Sequence, residues 1–190
     1  MKFCTFLLGV VLTTASAFSA SYTFSANLSG PNEAPPNASP GTGFALVTYD
    51  DIANTLHVQV TFSDLLAGTT ASHVHCCTVV PLTGTAGVAT ELPSFTGFPL
   101  GVTSGTYNHT FDTSLPGTFS ANSNGAGFNG TAAAFLAGMQ GGQAYLNIHS
   151  TEFRSGEIRG FLVPVPEPGT FAIGGAALAA LALLRRRVQH

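Results

Sequence analysis

Residues Leu56 to Phe62, LHVQVTF, decide the fold. Leu56, Val58, Val60 and Phe62 alternate with His57, Gln59 and Thr61, and successive side chains of a strand point to opposite faces, so the segment predicts a half-buried β-strand. Just before it, Asp50, Asp51 and Asn54 supply turn chemistry, which makes Gly43 to Tyr49 the natural partner strand. Tyr22 to Leu28 repeats the pattern with Tyr22, Phe24, Ala26 and Leu28 on one face. Further strands are expected at Ser72 to Thr78, Gly105 to Phe111, Gln143 to His149 and Glu157 to Val163. One short helix is expected at Thr131 to Met139, where alanines, Phe135 and Leu136 are followed by Gly138. Many short strands with Gly/Pro turns predict an all-β protein built as an antiparallel sandwich. The connection from Val79 to Gly101, rich in Gly, Thr and Pro, is expected to run over the surface.

The two ends have a different character. Met1 and Lys2 lead into the apolar run Phe3 to Leu12, then Ala15, Ser16 and Ala17, which are the parts of a secretory signal peptide over residues 1–17 with cleavage after Ala17. At the other end Pro164, Pro166 and Pro168 interrupt regular structure, Phe171 to Leu184 is apolar, and Arg185, Arg186 and Arg187 follow. A helix of about 14 residues at ~1.5 Å each covers about 21 Å of a hydrocarbon core nearer 30 Å, so its stay in the inner membrane is expected to be transient. The arginines resist translocation, which leaves the folded part outside.

Residues 18–163 between these ends suit one domain. Its basic residues are Arg154 and Arg159 alone, against Glu33, Asp50, Asp51, Asp64, Glu91, Asp112, Glu152 and Glu157, a balance that argues against nucleic acid as a partner. Charged residues are only 8% of the chain, so the surface must be largely hydroxyl and amide, as in an exported β-protein. Recurrent Phe, Val, Leu and Ile separate it from a disordered tail. Glu33 to Pro36, EAPP, is expected to fix an extended edge and loop.

Chemistry concentrates in TASHVHCC, Thr70 to Cys77. On a strand, His73, His75 and Cys77 share one face, and so do Tyr145, Asn147 and His149 in the later segment. Neighbouring placement of the two strands would bring His73, His75 and His149 together, with Cys77 or Glu157 as a fourth ligand, a donor set that suits zinc or copper. The competing reading is a structural polar cluster, with Glu157 and Arg159 as an ion pair on one strand face. Cys4 leaves with the signal peptide, and joining the adjacent Cys76 and Cys77 would cross-link almost nothing. Free thiols, a vicinal disulfide, an intermolecular link and metal ligation stay open. His57 and His109 are expected at the surface. No nucleophile elbow, phosphate-binding loop or dinucleotide fingerprint occurs, so a non-enzymatic protein is expected.

Two resemblances add to this. Val165 to Thr170, VPEPGT, followed by the apolar run and the arginine cluster, resembles the PEP-CTERM sorting signal of exported bacterial proteins, here residues 164–190. That implies recognition of Pro166, Glu167, Pro168, Arg185, Arg186 and Arg187 and processing by an exosortase, in a setting of exopolysaccharide and biofilm production. NLSGPNEAPP (Asn27 to Pro36), SHVHCC (Ser72 to Cys77), YLNIHS (Tyr145 to Ser150) and GEIRGFL (Gly156 to Leu162) together resemble the CHRD domain. That resemblance implies an immunoglobulin-like β-sandwich used extracellularly, without established enzymatic activity. Many members carry Gly after the second His, where this chain has Cys76 and Cys77. The expectation is an exported, exosortase-processed, structural or adhesive component of the cell envelope or polysaccharide matrix. The alternative is a metal-binding (copper or zinc) or redox module centred on HVHCC.

Overall fold

A computed structural model describes residues 21–120 and 128–166. The expected signal peptide and apolar C-terminal helix, with Glu167, Pro168, Arg185, Arg186 and Arg187, lie outside the described residues. Within them the strands are β1 (Ser21–Ser29), β2 (Thr42–Asp50), β3 (Thr55–Ser63), β4 (Thr69–His75), β5 (Gly105–Asp112), β6 (Tyr145–Ser150), β7 (Ile158–Phe161) and β8 (Val163–Pro164), with one helix, α1 (Ala132–Gln140). The segment that opened the reading is β3. Its apolar set Leu56, Val58, Val60 and Phe62 is buried, and it joins β2 through a turn in which Asp50 Oδ1 accepts the backbone N–H groups of Ile52 and Ala53.

The strands form one antiparallel sheet in the order β4-β6-β7-β1-β2-β3-β5, with β8 also on β1. The sheet curls into a half-barrel, and the fold is all-β with one short helix. The two separate sheets of an immunoglobulin-like sandwich are not what the ladder traces. β1 and β7 share only the pair Ser29 and Arg159, and that pair keeps the path continuous, while β8 pairs β1 off the path. Phe24, Ala26 and Leu28 of β1, Val47 of β2 and Val58 of β3 then share one core with Val74, Leu146, Ile148 and Ile158 from the other half. Core burial of this kind stabilises by roughly 25 cal/mol per Å² of apolar surface removed from water.

Two local expectations are corrected. The strand expected over Ser72 to Thr78 ends at His75, because Cys76 and Cys77 are joined in a vicinal disulfide and both are buried. That disulfide packs on α1 at Gly138, where a Cβ would run into both sulfurs. Helix α1 begins where expected, capped by the Thr131 hydroxyl accepting the Ala134 N–H, and it buries Phe135 and Met139. The connection after Val79 does not simply cross the surface. Backbone bonds from Ala89 N to Val74 O, Phe95 N to Ser72 O and Cys76 N to Gly87 O lay it along β4, and Phe95 and Phe98 enter the core. An edge strand leaves backbone groups without partners, and this segment supplies them.

Candidate metal centre

β4 and β6 pair antiparallel, with Ala71 opposite His149, His73 opposite Asn147 and His75 opposite Tyr145. Ser72, Val74, Leu146 and Ile148 face the core, so the alternation places His73, His75, Tyr145, Asn147 and His149 together on the other face. The imidazole ring centroids stand 5.7 Å apart for His73 and His75, 5.2 Å for His73 and His149, and 5.9 Å for His75 and His149.

Each ring is oriented by one backbone carbonyl. His73 Nε2 donates to Pro93 O at 2.6 Å, His75 Nδ1 to Ala86 O at 2.9 Å, and His149 Nδ1 to Arg154 O at 2.9 Å. A carbonyl only accepts, so each bonded nitrogen carries the proton and the opposite nitrogen carries a lone pair. Those bare atoms, His73 Nδ1, His75 Nε2 and His149 Nε2, are buried and have no hydrogen-bond partner. One ligand nitrogen from each ring lies within 4.8 Å of the others. An ion at ~2.0–2.1 Å from each nitrogen would hold them about 3.4 Å apart, so binding would draw the rings together from the separation seen here.

The electrostatics favour lone pairs over protons. Burial, which penalises the charged form, pushes His73 down to about 4 and His75 down to about 3, and it lowers His149 as well. All three are therefore neutral near pH 7, the form that binds metal. Rings fixed through their second nitrogen to backbone carbonyls are the usual arrangement of metal-ligating histidines.

The two other expected ligands are placed elsewhere. Cys77 spends its sulfur on Cys76. Glu157 is fully buried away from the cluster, where Oε1 accepts from Ser39 Oγ at 2.7 Å and from Leu66 N at 2.5 Å. The expected Glu157–Arg159 pair is replaced by one between Arg159 Nε and Glu33 Oε2 at 3.9 Å, both buried. His57, bonded to Asn108, and His109, set edge-on to Phe111, take no part in the cluster.

Several contributors escaped the sequence reading. Glu33 of the EAPP stretch turns inward after the 3-10 turn Gly30–Asn32, and burial pushes its carboxyl up to about 7 against the pull of Arg159. Tyr145 and Asn147 were visible only as face neighbours, and the carbonyls of Ala86, Pro93 and Arg154 gave no signal at all. Backbone acceptors carry no residue type to recognise.

The all-β half-barrel thus carries three imidazoles clustered on one face, with their unbonded nitrogens buried and close enough that they could hold a metal ion. Residues 24–162 match the family model of the CHRD domain, and residues 164–187 match the PEP-CTERM protein-sorting motif. The chain belongs to the CHRD domain family. Its terminal motif marks an exported protein directed to exosortase, with transient anchoring in the membrane. Among the described residues no helix is long and apolar enough to cross a membrane. No curated protein and no solved structure gives a significant match.

Proposed function

We propose that this protein is a non-enzymatic component of the cell envelope or extracellular matrix that holds one transition-metal ion, copper or zinc, between His73, His75 and His149. One observation carries the reading: three buried imidazole nitrogens, each bare and each fixed by a carbonyl behind it, lie within 4.8 Å of one another. Leaving such acceptors without a donor is costly, and an ion satisfies all three at once. Three histidines leave an open coordination position, as in sites that keep an exchangeable ligand. Replacing His75 by Ala should reduce bound metal from near one per chain to near none while the sheet stays folded. Unchanged metal content would remove the site.

The structural or adhesive role rests on the sorting motif and on the charge-poor composition. Processing by exosortase predicts that the secreted fraction of the native host contains a chain cut after the Pro-Glu-Pro motif. An intact tail on the mature molecule would count against it, whatever the metal content.

A further inference from the structure

Strands β1, β2, β3 and β5 turn one face to the core and the other to solvent. Their ladders run in register without a bulge, over nine pairs between β1 and β2, nine between β2 and β3 and eight between β3 and β5. This register aligns the solvent-side residues in rows across the strands. One row is Asn27, Phe44, Thr61 and Thr106, and the next is Ser25, Leu46, Gln59 and Asn108. None of them is buried, and Phe44 is 45% exposed. Two shallow hollows meet here, of about 380 Å³ and about 370 Å³, and Phe44 and Thr61 border both. His57, in the row beyond, donates from Nε2 to Asn108 Oδ1 at 2.7 Å, which fixes that amide and leaves its N–H2 group to donate elsewhere.

The chemistry of this face limits what can lie on it. Its polar groups are hydroxyls and amides, which both donate and accept. Its apolar side chains are Phe44 and Leu46, too few for the apolar centre of a protein interface. Neither row holds an acid or a base, and the two arginines of the domain stand on β7 and in the loop before it. An anionic partner would shed water from its charges and meet no cation, beside a domain whose acids outnumber its bases by eight to two. A neutral sugar chain matches instead: its C–H faces lie against an aromatic ring, whose π-face is negative, while its hydroxyls exchange hydrogen bonds with hydroxyls and amides. Four unbulged strands at ~4.8 Å spacing offer an even surface that suits an extended chain. We propose that this face binds a neutral, extended polysaccharide, with Phe44 as the stacking platform and Gln59 and Asn108 as hydrogen-bonding groups beside it. This rests on the envelope or matrix role proposed above, to which it gives a partner, and it stands apart from the metal centre.

The test runs the full chain on native gels containing hydroxyethylcellulose or galactomannan, which are neutral, or carboxymethylcellulose, which has the first polymer's backbone with added carboxylates. Retardation that grows with polymer concentration gives Kd. The neutral polymers should retard the wild type and the anionic one should not. Phe44→Ala should weaken Kd by about fivefold or more, and Phe44→Tyr should restore it. Gln59→Ala should weaken it by about threefold. Both side chains lie on the solvent side of formed strands, so the variants are expected to keep the wild-type far-UV circular dichroism. His75→Ala should bind the polymers as the wild type does. A wild type that neither neutral polymer retards, equal retardation by the anionic polymer, or an unchanged Kd in Phe44→Ala would each overturn the proposal. Sedimentation showing that Phe44→Ala breaks a wild-type dimer, with no loss of polymer binding, would overturn it in favour of a contact between two copies. Bound metal and the cut after the Pro-Glu-Pro motif are measured separately, so none of these results decides them.

Discussion

His75 and Tyr145, opposite each other on β4 and β6, stack with ring centroids 4.8 Å apart and planes within 6°. Both also converge on one carbonyl: Ala86 O accepts from His75 Nδ1 at 2.9 Å and from the Tyr145 hydroxyl at 3.2 Å. The stack fixes the ring plane and the shared carbonyl fixes the tautomer, so the His75 lone pair is aimed before any ion arrives. Replacing Tyr145 by Phe keeps the stack and removes the hydroxyl. Outer partners of metal ligands are worth about 10–100-fold in affinity, and a loss near the lower end is expected in a competition titration against a chelator of known strength. A loss comparable to that of His75→Ala would mean that Tyr145 does more than orient.

The metal-free protein should be acid-sensitive in a defined window. Free imidazoles titrate near 6.5, whereas the folded chain holds His73 at about 4 and His75 at about 3. Below 6.5 the unfolded chain binds more protons than the folded one, so the stability tied to these rings is complete above that pH. It declines as pH falls toward 4 and then 3. Urea midpoints of chelated protein should drop progressively across this range. The decline should be shallower in His75→Gln, and a wild-type profile flat from pH 7 to 4 would contradict the assignment.

Helix α1 can be tested through its contact with the disulfide. A methyl at Gly138 has no room against the Cys76 and Cys77 sulfurs. Overpacking a dense core costs about 1–3 kcal/mol. Gly138→Ala should lower stability by that amount in chemical denaturation while leaving metal content near wild type, since the sulfurs are not ligands here.

The core of the narrower half is open to a complementary test. Leu146, fully buried and one residue from Asn147, packs on the core side of β6. Truncation to Ala should cost about 2–5 kcal/mol, read from denaturant midpoints. A cost below ~1 kcal/mol would show that this half contributes little to the shared core.

Much of this arrangement could be read from residues. Period-two alternation from Tyr22 to Leu28 and from Leu56 to Phe62 locates β1 and β3, because one face of each is buried and the pattern has no other use. The HVH and YLNIH segments place three histidines on matching faces, and only the pairing of β4 with β6 was needed to bring them together. What sequence could not show depends on contacts between distant segments. The carbonyls of Ala86, Pro93 and Arg154, the inward turn of Glu33 and the engagement of Glu157 by Ser39 and Leu66 all arise from loop paths. The continuous sheet depends on a single pair, Ser29 with Arg159, which no periodicity predicts.

The central claim is that His73, His75 and His149 hold an ion. Its most direct test is elemental mass spectrometry of the purified chain, wild type beside His75→Ala, after exposure to copper or zinc and removal of loosely bound metal. Near one ion per wild-type chain and near none in a folded His75→Ala chain is the result expected. Wild-type protein that is folded yet metal-free after such exposure would contradict the claim and leave the three imidazoles as part of the scaffold.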